Sequence, residues 1–312
     1  MADRPTKPSR PWRVICDELH QRGWHGTVVR VQRLEELKTE LHDRRDSQEI
    51  DGRLYAEELS EFDFDHSSGP ADTQSIIIVA VPHPHSAMTF QWKGKSHQVA
   101  IPPTYSHQID HDVSKLLRSV LTPHGYLIKS AWVPEKLLAV RSGLARYGKN
   151  NISYVDGLGS YHRLIPFFSD LPCAQDNWQP AQVMPICNDC KACLKGCPTD
   201  AITEDRFLIS AERCLTYHNE SNREFPRWID PSWHHCLVGC LKCQDVCPVN
   251  RKIPQTVDAR IMFTAGETQL LVDNKDFSRL PQAKKVALAE FPFTKNLSRL
   301  ARNLRTLLEA GT

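Results

Sequence analysis

Most cysteines of this 312-residue chain lie in two short runs. The first run has cysteines at positions 187, 190, 193 and 197, and the second has them at 236, 240, 243 and 247. Each run ends in a Cys-Pro pair, Cys197-Pro198 and Cys247-Pro248. Gaps of two residues let three thiolates wrap one cluster from a single loop, while the cysteine before the proline reaches the other cluster. The spacing therefore predicts two [4Fe–4S] clusters and a fold that brings the two runs together.

The same crossing rule assigns the ligands. The predicted sets are Cys187, Cys190, Cys193 and Cys247 for one cluster, and Cys197, Cys214, Cys240 and Cys243 for the other. The fourth ligand of the second cluster stays open between Cys214 and Cys236. Cys214 is favoured, because the gap between Cys236 and Cys240 is wider than the usual two residues. Cys16 and Cys173 are predicted to be packed thiols, since nothing near them repeats the spacing.

Composition sets the class of protein. Hydrophobic residues make up 40% of the chain and charged residues 24%, with a net charge of +2, which is ordinary for a globular protein. No apolar run approaches the roughly 20 residues of a membrane span. The proline-rich, basic residues 1–11 predict a flexible tail rather than a signal peptide. Cysteines at iron-ligand spacing favour a reducing cytoplasm over a disulfide framework.

The order of elements predicts the architecture. Periodicity predicts helices over 12–22, 34–45, 107–121, 135–142 and 295–308, strands over 27–31, 75–81 and 126–130, and a hairpin over 90–99. This alternation predicts an α/β domain over 12–172 with a mixed, mainly parallel sheet. A bacterial-ferredoxin-like double-cluster domain is predicted over 173–256 and a helical tail over 257–312. In the last helix, Arg299, Arg302 and Arg305 lie opposite the leucines.

Several motifs resemble one family. Residues 129–150 read K-S-A-W-V-P-E-K-L-L-A-V-R-S-G-L-A-R-Y-G-K-N. The epoxyqueuosine reductases, relatives of the reductive dehalogenases, carry a stretch close to D-S-x-P-x-x-E-x-x-x-A-x-x-A-G-L-G-x-x-G-K-N ahead of a double-cluster domain. The blocks C-P-T-D-A-I at 197–202, R-C-L-T-Y at 213–217 and C-P-V-N at 247–250 resemble the same family. The resemblance spans about 75–250.

The resemblance implies a cobalamin in the 12–172 domain, next to the nearer cluster and in a base-off form. The implied cofactor-binding residues are Lys129, Ser130, Ala131, Gly143, Tyr147, Gly148, Lys149 and Asn150. Glycines permit close backbone approach to a large planar ligand. Lysine and asparagine side chains bind amide and phosphate groups through hydrogen bonds, and a tyrosine ring packs against the ligand.

One position departs from the family. The aspartate that serves the epoxyqueuosine reductases as proton donor above cobalt corresponds to Lys129, and the family's proline corresponds to Trp132. An ammonium group donates a proton more readily when burial lowers its pKa. It does not reproduce the hydrogen bonding of a carboxylate. Lys129 is thus the candidate catalytic residue, and the expected substrate is not epoxyqueuosine.

These patterns favour one function and leave two alternatives. The leading hypothesis is a cytoplasmic cobalamin-dependent reductase of a small molecule, with electrons from a ferredoxin or flavodoxin passing through the clusters. The first alternative is a non-enzymatic corrinoid-handling protein. The second is a ferredoxin-type electron-transfer subunit without corrinoid. We expect no membrane association, and a tRNA partner is disfavoured, with weak, non-specific RNA binding at most.

Overall fold

The computed structural model describes residues 10–83, 85–105, 108–253, 258–274 and 277–310. Residues 1–9 of the predicted tail, and His107 at the start of a predicted helix, lie outside the described residues. The helices are α1 Arg10–Gln21, α2 Arg33–Asp46, α3 Gly52–Leu54, α4 Gln108–Leu121, α5 Glu135–Arg141, α6 Ala192–Gly196, α7 Leu215–Glu220, α8 Lys242–Asp245, α9 Ala265–Val272, α10 Gln282–Ala289 and α11 Leu297–Ala310. The strands are β1 His25–Arg30, β2 Ser75–Pro82, β3 Ser86–Trp92, β4 Lys95–Ile101, β5 Ile128–Ser130, β6 Arg146–Tyr147, β7 Ser153–Tyr154, β8 His162–Ser169 and β9 Asp258–Phe263.

The chain forms two compact units, and both are discontinuous in sequence. One unit comprises the residues up to Pro82 together with Ile109–Cys190. The other comprises His83–Gln108 and the chain from Lys191 onward. The unit boundary at Cys190 falls inside the first cysteine run. The domain limits drawn from the sequence, with a boundary at 172/173, stay a prediction.

The first unit is built on a four-stranded sheet in the order β1-β2-β8-β5. The run of β-branched residues in β2 is buried along almost its whole length, as predicted for a strand covered on both faces. Ile77 and Val79 of this strand share a core cluster with Ile15 of α1 and Leu117 of α4. Burial of these side chains holds α1 and α4 on one face of the sheet.

The direction of the strands differs from the prediction. Every neighbouring pair in this sheet is antiparallel, so the expectation of a mainly parallel sheet is wrong for this unit. Arg30 at the end of β1 pairs with Ser75 at the start of β2. The connection that contains α2 therefore leaves and re-enters the sheet at the same end, whereas a parallel crossover must traverse it.

The second unit contains the predicted hairpin. Strands β3 and β4 pair across a turn at Lys93 and Gly94, both with positive φ, as a tight hairpin requires. Strand β9 pairs parallel to β3. The prediction that the chain is helical beyond Pro254 therefore misses β9 but holds for α9, α10 and α11. The stacked rings of Phe90 and Phe263, 5.0 Å apart, mark the core of this unit.

Among the described residues, no helix is both long and apolar enough to cross a membrane.

Candidate functional site

Within the second unit, the residues just before Cys197 and Cys247 approach each other closely. Gly196 lies one residue before Cys197, and a Cβ atom built on it would be only 2.8 Å from Val246. Val246 in turn lies one residue before Cys247. Only a residue without a side chain lets the short helices α6 and α8 approach this closely. This close approach brings the two runs together at the residues that precede Cys197 and Cys247.

Three of the predicted ligands of the second cluster are neighbours. Burial raises the pKa of the Cys214 thiol, and the nearby Cys197 raises it further. Burial likewise raises the pKa of Cys240 to about 12, with Cys214 and Cys197 again close enough to add to the effect. Bound iron would reverse this, because a coordinated thiol loses its proton. These thiols come from separate segments and converge, as a cubane needs.

The alternative ligand, Cys236, lies in a different environment. The eight predicted ligands are half-buried, whereas Cys236 is buried, with 1% exposure. Burial raises the pKa of the Cys236 thiol well above its ordinary value, and Cys240 lies nearby. The backbone of Cys236 forms a bridge to Ala100 of β4, and the following amide of Leu237 donates to the Ala100 carbonyl at 2.9 Å. Cys236 is thus part of the core beside the cysteines.

Among the described residues, no group of three or more His, Cys, Asp or Glu side chains is arranged to hold one metal ion. In a cubane the thiolates bind different iron atoms, so they converge at a wider spacing. After the second run, buried Asn250 donates from Nδ2 to the Gln244 carbonyl at 2.9 Å. This bond closes the loop that carries Cys247.

A half-buried tyrosine supports the loop before Cys240. The Tyr105 hydroxyl donates to the carboxylate of Glu220. Burial raises the pKa of Tyr105, and Glu220, Cys236 and Cys214 raise it further. Gly239 has φ of +67°, and a Cβ there would lie 2.8 Å from the Tyr105 ring. The loop therefore requires glycine for both conformation and space.

The arginines of α11 bind the protein's own backbone. Arg299 donates to the carbonyl oxygen of Glu220 at 2.5 Å. Arg305 donates to the carbonyl oxygen of Val272 at 2.6 Å. Arg302 packs its guanidinium 4.1 Å from the centre of the Phe225 ring. Because these groups already hold the second unit together, the basic face predicted from the sequence has a structural role.

In the first unit, Lys129 lies on the exposed part of β5. Its Nζ atom donates to the carbonyl oxygen of Gly69 at 3.1 Å. A second bond joins the same two segments, because the Asp63 amide donates to the Trp132 carbonyl at 2.8 Å. The loop from Asp63 to Gly69 is therefore fixed to both ends of the segment that carries Lys129, Ser130 and Ala131. Ser130 is exposed and Ala131 is buried.

Two glycines of the segment implied to bind cobalamin are required by the packing of the protein itself. Gly143 follows the C-terminal end of α5 and has φ of +75°, and a Cβ there would lie 2.3 Å from the Asn177 side chain. A Cβ on Gly148 would lie 2.4 Å from Asn150 and 2.6 Å from the ring of Tyr154. The local packing thus explains both glycines.

The neighbouring polar residues also belong to this packing. The Asn150 amide donates to the Tyr154 hydroxyl at 3.1 Å. Tyr147 is buried, and burial raises its pKa. Lys149 is half-buried. An ammonium group and exposed Ser130 are donors that suit the amides and phosphate of a corrinoid.

Sequence reasoning missed β8 and the contacts of the polar residues at its start. His162 is buried and contacts the Ser153 hydroxyl at 3.2 Å, and burial lowers the His162 pKa to about 4. Arg163 donates two hydrogen bonds to Asp110, at 3.2 and 3.0 Å. Its guanidinium also lies 3.6 Å from the carboxylate of Glu135. Leu164–Phe168 is an apolar run that signals such a strand.

Residues 186–250 match the family described as 4Fe-4S double cluster binding domain. The chain is 29% identical over 229 residues to epoxyqueuosine reductase of Atelocyanobacterium thalassa, an alignment that spans 70% of this chain and 72% of that protein. It is 37% identical over 130 residues to epoxyqueuosine reductase of Cyclobacterium marinum, and there the alignment spans 41% of each chain.

Solved structures extend the similarity to nearly the whole fold. Epoxyqueuosine reductase from Streptococcus thermophilus superposes with a TM-score of 0.72 at 20% identity, covering 96% of this chain and 81% of that one. An epoxyqueuosine reductase solved with a tRNA stem loop gives a TM-score of 0.69 at 17% identity, covering 96% and 82%.

The fold and the cysteine segment define a protein with an α/β part and a double [4Fe–4S] binding segment, followed by a C-terminal helix, which confirms the predicted fold class. The chain is similar in sequence and in fold to proteins named epoxyqueuosine reductase, and the resemblance inferred from its motifs is confirmed.

Proposed function

We propose that this protein is a cobalamin-dependent iron–sulfur reductase related to epoxyqueuosine reductase, with a substrate other than epoxyqueuosine. The observation that carries the proposal is the family segment 129–150 ahead of a double-cluster segment, with lysine at the position of the family's aspartate. The ligand sets are those predicted from the spacing, with Cys214 as the fourth ligand of the second cluster. The proximity of Cys214 to both Cys197 and Cys240 supports this choice.

Lys129, Ser130, Ala131, Gly143, Tyr147, Gly148, Lys149 and Asn150 are the residues proposed to hold the corrinoid. When bound, the corrinoid supplies a metal centre for two-electron reduction. The protein's part is to orient it, with Lys149 and Ser130 offering hydrogen-bond donors. Lys129 is the proposed proton donor on the substrate side, and leaving Gly69 would free its ammonium group for that role.

The electron donor that fits is a ferredoxin or flavodoxin, and the substrate class is a small molecule. The compartment we propose is the cytoplasm, where ligand thiols stay reduced. Weak RNA binding at most follows from the arginines of α11, which donate to carbonyl oxygens of the chain itself.

The experiment is reconstitution of anaerobically purified protein with hydroxocobalamin, followed by absorption spectroscopy and substrate turnover. A base-off spectrum is expected, because the resemblance offers no fixed histidine beneath cobalt. An unchanged spectrum at saturating corrinoid would leave the ferredoxin-type subunit as the better description.

One observation favours the corrinoid-handling alternative. The ammonium group of Lys129 is already bonded to the Gly69 carbonyl, which ties a loop to β5 rather than presenting a donor. Corrinoid binding without reduction of epoxyqueuosine or of a panel of halogenated and epoxide substrates would support this second function.

A further inference from the structure

A buried asparagine of α11 joins two segments of the second unit. Asn303 is 2% exposed, and its Nδ2 atom donates to two carbonyl oxygens, those of Asn219 and Leu237, each at 2.9 Å. Asn219 is itself buried, and its own Nδ2 atom donates to the Gly239 carbonyl at 2.7 Å. The two asparagines therefore form a continuous chain of hydrogen bonds between these segments.

The orientation of the Asn303 amide is fixed by Arg302. The guanidinium group donates to Asn303 Oδ1 at 2.8 and 3.1 Å, so the nitrogen of the amide must face the two carbonyls. Arg302 also donates to the carbonyl oxygen of His218 at 2.9 Å. Buried Leu300 and Leu304 anchor the helix in the core behind these polar contacts.

The joined segments are those that carry cysteines. Asn219 lies on α7, which begins directly after Cys214. Leu237 and Gly239 lead into Cys240. A substitution at Asn303 would therefore alter the positions of two thiols that belong to one proposed cluster.

We propose that Asn303 is a positioning residue for the second cluster, holding the segments of Cys214 and Cys240 at the spacing that one cubane needs. The inference rests on the proposed cluster ligands and adds a role for the C-terminal helix. A bidentate amide suits this role, because it gives two donors at a fixed separation and leaves few buried carbonyls unpaired.

The test compares Asn303→Ala with Arg305→Gln, after anaerobic reconstitution with iron and sulfide. Arg305 lies on the same helix but bonds to Val272, away from both cysteine segments. Wild-type protein and Arg305→Gln should hold roughly eight iron atoms per chain, the content of two cubanes. Asn303→Ala should fall toward roughly four, or keep its iron with an altered electron paramagnetic resonance signal for one cluster.

Cys214→Ala separates positioning from general destabilisation. In that background the second cluster is already lost, so adding Asn303→Ala should remove no more iron. Further loss would show that Asn303 acts on the whole fold and would overturn the inference, as would an Asn303→Ala protein with wild-type iron and an unchanged signal. If Asn303→Ala fails to fold, Arg302→Lys, which frees the amide to rotate, should give a weaker change in the same signal. Wild-type protein without iron would instead refute the proposed clusters.

Discussion

The Arg213 side chain donates from Nε to the carbonyl oxygen of Thr199 at 2.8 Å. Arg213 directly precedes Cys214, and Thr199 follows Cys197 by two residues, with its hydroxyl 3.4 Å from the Cys197 sulfur. A single side chain thus fastens the segment of Cys214 to that of Cys197. Cys236 has its own link, to β4, and that link does not lead to Cys197.

This relationship predicts different outcomes for two cysteine substitutions. Cys214→Ala should abolish one cluster, because it removes a thiol held beside Cys197 and Cys240, and iron should fall from roughly eight to roughly four atoms per chain. Cys236→Ala should leave both clusters in place. Iron and sulfide analysis of both proteins checks this, and the opposite pattern would move the fourth ligand to Cys236.

Gly239→Ala should destabilise the second unit strongly. The substitution combines a left-handed backbone with a contact of 2.8 Å to the half-buried Tyr105 ring. We expect a loss of about 2 to 4 kcal/mol in the free energy of unfolding. Gly94→Ala is the matched control, since Gly94 has φ of +77° and nothing within 4 Å of a built Cβ. It should cost only about 1 to 2 kcal/mol. Equal losses in denaturant unfolding would show that the ring contact has no effect.

Glu135 should make stability depend on pH. Burial raises the pKa of Glu135 from 4.5 to about 7, with Asp110 adding to the rise and Arg163 opposing it. The unfolded chain releases this proton near its ordinary pKa while the folded protein keeps it. The free energy of unfolding should therefore fall as pH rises from about 4.5 to about 7, by at most about 3 kcal/mol.

Glu135→Gln should remove this slope. The difference in free energy of unfolding between the variant and wild type should therefore shift in favour of the variant between pH 4.5 and pH 8. Exposed Glu61→Gln is the control and should keep the wild-type slope. Chemical unfolding at a series of pH values decides it, and a slope that survives in Glu135→Gln would assign the effect to another group.

Lys129 should prevent turnover of epoxyqueuosine in a stem–loop RNA. A general acid contributes about 10² to 10⁴ in rate, and the carboxylic acid of the family is missing here. Lys129→Asp should raise the rate if the rest of the pocket accepts the substrate. Lys129→Met controls for loss of the bond to Gly69, which should cost about 1 kcal/mol of stability in both variants. Wild-type turnover at ordinary enzyme rates would contradict the proposed role of Lys129.

The sequence was most informative where local chemistry decides the structure. Cysteine spacing predicted a double-cluster segment, which the family match over residues 186–250 supports, and the turn at Lys93 and Gly94 follows from local conformation alone. Strand direction was mispredicted, because a helix between β1 and β2 has the same sequence pattern whether the chain crosses the sheet or returns to the same end. The bonds of Asn303 join residues far apart in sequence, and no periodicity reports such a contact.

The position of β9 sets an order in which this chain can fold during synthesis. Strand β3 pairs with β9, with Ser86 opposite Asp258, so the edge of the early hairpin stays open until the ribosome has made residues 258–263. An open strand edge invites pairing with other chains. Truncation before β9 should therefore favour aggregation.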